Sequence, residues 1–399
     1  MKRILVVSHA LELGGAERSL IGFLSSINRK QYQVDLFLLR HEGELLSAIP
    51  QNITLLPVIS AYTVLARPMV KTLKEGHFVL TTARLIAKVD AARYVKKHGY
   101  KDNGVALEYS HKYTWRFMPS INPSVEYDLA ISFLTPHYIV ANKVRAKKKI
   151  AWIHTDYSKI QIDIKSELIM WSKYDYIASI SQNVTNTFLQ VFPSLRSKIV
   201  LIENILPRKL INIQAMEFTV DEEMPHYAGQ INLLSIGRYC TAKNFDNVPD
   251  ICRRILQKGI PIKWYIIGFG RDEKIIKRKI AEAHMEDYVI LLGKKENPYP
   301  YIKACDYYVQ PSRYEGKSVC VREAQLLGKP VVITNYATSL SQLENNVDGV
   351  IVSMDNSLCA EGIAELLSDK DKTKRLIDNC KKRDYSNSEE IEKIYALID

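Results

Sequence analysis

A chain of 399 residues is too long for a single hydrophobic core and predicts two domains, at most three. Its 47% apolar and 25% charged content is that of ordinary globular protein, and no run of eighteen apolar residues reads as a membrane span. The net charge of +11 sits on one side: residues 1–200 hold 27 Lys+Arg against 15 Asp+Glu, and the remainder holds 28 against 29.

A first strand is read at "ILVVSH" (4–9). Ser8 and His9 interrupt its apolar run and acids follow, which sets it apart from a signal peptide. In the next segment, "ALELGGAERSL", Gly14 and Gly15 let the backbone turn tightly into a helix. The free N–H groups and positive dipole end of that helix suit a phosphate. The spacing is neither GxGxxG nor GxxxxGK[ST], so no dinucleotide or P-loop signature is present. Strands follow at 34–39 and 53–58. A long helical region then interleaves Lys and Arg with Leu, Val, Phe and Tyr ("RPMVKTLKEGHFVLTTARLIAKVDAARYVKKHGYK"), a basic amphipathic surface fit for an anionic membrane. "VRAKKKIAW" (144–152) adds four cations in five residues. No nucleic-acid-binding motif accompanies them, so nucleic acid is not expected as a partner. Strands are read at 128–133, 149–154, 176–181 and 198–204, and His154 stands at the carboxyl end of the second of these, placed to hydrogen-bond a hydroxyl or carbonyl.

Residues 207–230 ("PRKLINIQAMEFTVDEEMPHYAGQ") are polar and weakly periodic and read as a linker between domains at 1–206 and 231–385. Beyond it the grammar repeats, with strands at 231–237, 263–270, 289–293, 306–312, 330–334 and 349–352 and helices at 246–258, 271–284 and 358–369. Segment 386–399 carries Ser388 as a cap and an apolar face of Ile391, Ile394, Tyr395 and Ile398, so it is expected to dock back on the N-terminal domain. Strands alternating with helices imply a parallel sheet in each half, covered on both faces, with ligands at the carboxyl ends of the strands.

Three motifs lie at such strand ends. "SIGRYCTAKN" offers Arg238 and Lys243 to one anionic group. "IIGFGRDEK" is a Gly-rich exit with Gly268 and Gly270. "SRYEGKSVCVREAQLLGKP" (312–330) reads as a helix ended by Gly328 and Pro330, with Glu315 before it and Glu323 inside it. A carboxylate accepts two hydroxyl hydrogen bonds, so vicinal diols are natural partners for these acids. The six cysteines lie in the second half without a CxxC pair and read as buried fillers; no metal site or disulfide is expected.

Together "GGAE" (14–17), His154, "GRYCTAKN" (237–244), "IIGFGRDE" (266–273) and "PSRYEG…REAQLLGKPVV" (311–332) resemble glycosyltransferase family 4, whose E-x7-E motif falls on Glu315 and Glu323. The resemblance implies an α/β GT-B fold: two Rossmann-like domains facing across a cleft, the N-terminal one binding the acceptor and the C-terminal one the donor. It implies a retaining, metal-independent enzyme with a front-face mechanism and no cofactor. Such an enzyme moves a hexose or N-acetylhexosamine from a nucleotide sugar, by family frequency UDP-linked. By the same resemblance Glu323 binds the ribose, Arg238 with Lys243 the diphosphate, and Glu315 the transferred sugar. Backbone amides of Gly316, Lys317, Ser318 and Val319 hold sugar or phosphate, Gly14 and Gly15 sit by the diphosphate, Gly268 lines the donor, and His154 reaches the sugar. The basic, apolar N-terminal half adds a saccharide or lipid-linked saccharide acceptor. This suits bacterial surface polysaccharide assembly, in the cytoplasm with peripheral contact at the inner face of an anionic plasma membrane. Lys317 departs from the family, which has an apolar residue there, and "LIENIL" lacks the usual Asn-Gly. A non-catalytic partner subunit and a nucleotide-sugar 2-epimerase of the same architecture remain as alternatives.

Overall fold

The computed structural model describes residues 1–101 and 104–398, and its contacts divide into two compact units: Met1–Ile205 with the segment from Ser388 onward, and Leu206–Asn387.

The first unit is built on seven parallel strands: β1 (Lys2–Ser8), β2 (Tyr32–Leu38), β3 (Thr54–Leu55), β4 (Tyr127–Ser132), β5 (Ala146–Ile153), β6 (Tyr176–Ser179) and β7 (Ile199–Leu201). They lie in the order β3-β2-β1-β4-β5-β6-β7, with Ile4 of β1 beside Val34 of β2 on one side and Leu129 of β4 on the other. Because helices cover both faces, the central strands bury unbroken apolar runs such as Ile4–Val7 and Leu129–Ile131. The strand expected at 53–58 is only two residues long: Leu56 still donates to the Leu36 carbonyl at 2.8 Å, but Pro57 has no N–H with which to continue. Between β3 and β4 the chain makes a helical hairpin, Phe78–His98 and Val105–Thr114, joined by Ala87 and Ala91 against Val105 and Tyr109. The C-terminal helix Ile391–Ile398 buries Ile391 and Ile394 and stacks Tyr395 on Tyr32 with ring centroids 4.5 Å apart. The Tyr395 hydroxyl accepts from the Asn28 amide at 2.6 Å.

The second unit has six parallel strands: β8 (Ile231–Ile236), β9 (Ile262–Ile267), β10 (Val289–Gly293), β11 (Tyr307–Gln310), β12 (Val331–Thr334) and β13 (Val350–Val352), in the order β10-β9-β8-β11-β12-β13. One face packs Trp264, Ile251 and Ile363, the other Leu234, Tyr265 and Val321. In both sheets the strand order reverses once, between β1 and β4 and between β8 and β11. At such a switch point the loops leave in opposite directions and open a crevice for ligand. The segment 207–230 is not the irregular linker expected. It holds the helix Arg208–Gln214, and Ile211, Val220 and Met224 enter the second unit's core. Its apolar contacts are spaced too unevenly to leave a period in the sequence.

Candidate functional site

The loops after β8 and β11, which flank the second unit's switch point, are stitched together by Arg313. Its guanidinium forks onto the Asp246 carboxylate at 2.8 and 2.7 Å and donates to the Thr241 carbonyl at 2.7 Å, while its backbone N–H reaches the Ala242 carbonyl at 2.8 Å. The 3-10 turn Thr241–Lys243 ends at Asn244 in the left-handed region, φ 60°, and carries Lys243 toward the neighbouring loop. Gly237 leaves room for the lysine stem, since a Cβ there would stand 2.9 Å from Lys243 Cε and displace it.

Lys243 Nζ donates to Glu315 Oε1 at 2.6 Å, with only 18% and 12% of the two side chains exposed. Burial is the largest single influence on the lysine pKa and lowers it, but the Glu315 charge, the Cys320 and Cys240 thiols and the hydrogen bond to Glu315 together raise it. Glu315 Oε1 also accepts from Ser312 Oγ at 2.6 Å, Ser312 accepts from Gln310 Nε2 at 2.9 Å, and Gln310 Oε1 accepts from the Tyr308 hydroxyl at 2.7 Å. Tyr308, Gln310 and Ser312 of this relay are wholly buried, and it runs from the sheet interior to the loop. It fixes Oε1 of Glu315.

Glu323 lies in the helix Val319–Leu326, is fully buried, and accepts from the Tyr299 hydroxyl at 2.8 Å through Oε1. Gly328, at φ 70°, ends this turn as the sequence predicted. Of the amides expected to hold sugar or phosphate, that of Ser318 is already engaged: it donates to Gln342 Oε1 at 2.6 Å, and Gln342 Nε2 returns a bond to the Ser318 carbonyl at 3.2 Å. Gly316 and Lys317 are half-buried beside it, and Val319 opens the helix. Arg238 is exposed and forms no ion pair among the described residues.

Gly268 has a structural explanation that needs no donor. A Cβ there would meet the Gly237 carbonyl at 2.0 Å and the Tyr239 ring at 2.6 Å, and the Tyr239 N–H donates to the Phe269 carbonyl at 2.8 Å. The Gly-rich exit of β9 closes on the loop after β8. In the first unit Gly14 is extended, φ −153°, and caps the helix Gly15–Ser26. A Cβ on Gly14 would meet Glu17 Oε2 at 2.1 Å, so a carboxylate from the first turn already lies over this helix start, on the spot foreseen for phosphate.

His154 follows β5 and packs against Phe133, ring centroids 4.9 Å apart. Burial pushes its pKa down to about 4, the Phe133 carbonyl opposing the shift, so the ring is neutral near pH 7; Nε2 is buried without a partner. It lines a cavity of about 310 Å³ together with Glu108 and Glu167. Glu108 Oε1 accepts from Ser166 Oγ at 2.7 Å and from the Tyr138 hydroxyl. Burial raises the Glu108 pKa and pushes that of Glu167 up to about 7.

Of the basic, apolar surface expected from the sequence, some cations are engaged within the fold while apolar residues of the long helix are exposed. In β5 Lys147 pairs with Asp128 at 2.7 Å and Lys149 Nζ donates to the Ala141 carbonyl at 3.0 Å, so these two cations are engaged. Phe78, Val79 and Ile86 of the long helix are exposed instead. With Phe117 and Ile169 they line a groove of about 780 Å³ edged by Lys112, Arg116 and Lys173. Arg116, Lys143 and Lys173 surround the Trp115 ring at 5.3–5.6 Å. No helix among the described residues is long and apolar enough to cross a membrane, and no group of three or more His, Cys, Asp or Glu is placed to hold a metal.

Residues 218–383 match the family described as "Glycosyl transferases group 1". The chain is 32% identical over 127 residues to the amylovoran biosynthesis glycosyltransferase AmsK of Erwinia amylovora, covering 30% of this chain and 31% of that one. It is 25% identical over 213 residues to an N-acetylgalactosamine-N,N'-diacetylbacillosaminyl-diphospho-undecaprenol 4-alpha-N-acetylgalactosaminyltransferase of Campylobacter jejuni, covering 53% and 55%. The chain thus spans about a third to a half of these relatives. In structure it is similar to Anabaena Alr3699/HepE in complex with UDP, at TM-score 0.67 and 16% identity over 100% of this chain and 99% of the other. That likeness extends the two-sheet fold to the full length.

Proposed function

We propose that the chain is a glycosyl transferase of the group 1 kind that residues 218–383 match, and that it moves a hexose or N-acetylhexosamine from a nucleotide sugar to a saccharide acceptor, with retention of configuration. The observation that carries this reading is the Lys243–Glu315–Ser312 cluster at the β8/β11 switch point, inside the matched segment. Transfer requires a nucleoside diphosphate to leave an anomeric carbon. Lys243, held in place by Glu315, and exposed Arg238 would take up the negative charge that develops on the leaving group, and the amino end of the helix Val319–Leu326 would add its dipole. Cations fixed before the reaction need no reorganisation as charge appears, which is why such groups lower a barrier. On this reading the charge is met by side chains and turnover persists in chelator.

Glu315 Oε2 would orient the transferred sugar through its hydroxyls, with no covalent intermediate. Glu323 would serve the ribose where the Tyr299 hydroxyl gives way to it. Amides of Gly316, Lys317 and Val319 would meet phosphate or sugar, with Ser318 retained by Gln342, and His154 would hydrogen-bond a sugar hydroxyl through Nε2. The second unit would take the donor and the first the acceptor. Uridine is the base we assign, on the UDP bound by the structural relative. The acceptor we assign is a lipid-linked saccharide of bacterial surface polysaccharide assembly. The Campylobacter relative is named for a saccharide on diphospho-undecaprenol, and the exposed apolar groove with its rim of cations suits an anionic membrane surface.

Thermal-shift titration with UDP, GDP and ADP sugars tests the reading. At a hundredfold excess over Kd a selective donor stabilises the folded form by about 2.7 kcal/mol, and we expect this for a UDP sugar. Absence of a shift with every nucleotide sugar would sink the proposal, and a 2-epimerised donor in place of free nucleoside diphosphate would transfer the chain to the epimerase reading.

A further inference from the structure

The loop 311–318, between β11 and the helix Val319–Leu326, is held from the side of β12 by three side chains. Thr334 Oγ1 donates to the Ser312 carbonyl at 2.5 Å and Thr338 Oγ1 to the Glu315 carbonyl at 2.8 Å. Gln342 Nε2 donates to the Ser318 carbonyl at 3.2 Å, and its Oε1 takes the Ser318 N–H at 2.6 Å. The clamping residues recur every fourth position and the clamped carbonyls every third, so one segment grips the other along its length. All three clamping side chains are buried, where a hydrogen bond is stronger than in water.

In a planar trans peptide the carbonyl of one residue and the N–H of the next point opposite ways. Holding the Ser312, Glu315 and Ser318 carbonyls toward the segment after β12 therefore turns the Arg313, Gly316 and Val319 N–H groups away from it. The first of these lands where the geometry requires: the Arg313 N–H meets the Ala242 carbonyl at 2.8 Å, in the loop after β8. The Gly316 N–H forms no hydrogen bond among the described residues, and Gly316 is half-buried at the surface of this loop. Val319 opens its helix, where an N–H has no intrahelical acceptor, and Ser318 supplies no side-chain cap. Two amides thus point away from the clamp without a partner, while the Ser318 amide is taken by the clamp itself.

The side-chain chemistry at position 342 matters. A neutral amide accepts from the Ser318 N–H and donates to the Ser318 carbonyl at once. An ionised carboxylate could only accept, and it would set a negative charge behind amides that are to face an anion.

We infer that Thr338 and Gln342 are positioning residues for the donor's diphosphate: by holding the Glu315 and Ser318 carbonyls they aim the Gly316 and Val319 N–H groups at it, and Gln342 does so without charge. The inference rests on the glycosyl-transfer reading and adds to that site a segment, 335–342, that belongs to none of the motifs in the sequence.

The test is calorimetric titration of the full chain with UDP at about pH 8 and about pH 5.5, on either side of the range in which a buried carboxyl titrates, with each variant's Kd divided by that of the unaltered chain at the same pH. Gln342→Glu should weaken UDP tenfold or more at the higher pH. At the lower pH the introduced acid takes up a proton, loses its charge and regains a donor for the Ser318 carbonyl, so the ratio should fall to threefold or less. Thr338→Val removes a clamp bond without adding charge and should weaken UDP threefold or more at both pH values, whereas Thr338→Ser keeps the hydroxyl and should stay within twofold. A ratio for Gln342→Glu that ignores pH, or ratios within twofold for both Gln342→Glu and Thr338→Val, overturns this inference alone. If the unaltered chain binds neither UDP, GDP nor ADP, the functional reading beneath it falls as well. Amide exchange in the unaltered chain gives a readout independent of variant folding. Bound UDP should slow the Gly316 and Val319 N–H groups tenfold or more and leave Ser318 unchanged, and unchanged exchange at Gly316 and Val319 contradicts the assignment.

Discussion

Replacing Lys243 with methionine removes the cation opposite Glu315 and keeps an apolar stem of similar length. At 2.6 Å and an effective dielectric of about 20, the gross attraction is about 6 kcal/mol. Desolvation of the two charges takes back a large part, and breaking a buried pair costs about 3–5 kcal/mol. With 18% and 12% of the side chains still exposed, about 3 kcal/mol is the expected loss for Lys243→Met. Glu315→Gln should cost about 2 kcal/mol, because its amide oxygen still accepts from Ser312. The double variant should lose about 2 kcal/mol less than the sum, since neither charge is left alone. A two-unit chain does not unfold in one step, so the readout is native-state hydrogen exchange of the 307–326 segment in urea, beside release of nucleoside diphosphate. Turnover of Lys243→Met should fall about 10²–10³-fold. Additive stability losses, or unchanged turnover, would refute the argument that Glu315 holds this lysine as a working charge.

Arg313→Ala should free the loop 237–244 from its neighbour, at about 1.5–3 kcal/mol for charge-assisted bonds, seen as faster exchange there; Arg313→Lys should recover little, because an ammonium cannot reproduce the fork on Asp246. Glu167 is held neutral by burial, with its pKa pushed up to about 7. Its stabilisation is full below the unfolded pKa near 4.5 and is lost as pH rises toward 7, on the order of 3 kcal/mol. Glu167→Gln should therefore flatten the pH dependence of first-unit stability between pH 5 and 7.5, measured by urea unfolding with tryptophan fluorescence, and an unchanged slope counts against the assignment. Phe78→Ser with Ile86→Ser should abolish flotation with phosphatidylglycerol vesicles, while raised salt weakens the unaltered chain's flotation; binding that ignores both changes removes the membrane surface from the account.

Much of the architecture was legible because burial on both faces forces apolar runs. "ILVVS", "DLAIS", "INLLSI" and "PVVIT" are strands for that reason. Glu315 and Glu323 also stood out, as acids around a helix whose glycine cap and following proline mark its end. The contacts that hold the site were illegible because they join distant positions without a local pattern. Arg313 meets Asp246 across 67 residues, Tyr299 meets Glu323 across 24, and Gln342 takes the Ser318 amide across 24. Glu108 belongs to none of the motifs in the sequence, and its burial depends on Tyr138 and Ser166, 30 and 58 residues away. Gly268 was ambiguous in the sequence, because a glycine-rich strand exit looks the same whether it admits a ligand or a neighbouring loop, and Gly237 and Tyr239 crowd its missing side chain.

The central claim, that a nucleotide sugar is activated between the loops after β8 and β11, is tested most directly by nucleoside diphosphate release from the preferred donor by Glu315→Ala and Arg238→Ala. Both should retain the unaltered chain's exchange protection in the strands of the second unit while turnover falls by at least about 10². Turnover at the unaltered level in both folded variants would contradict the account.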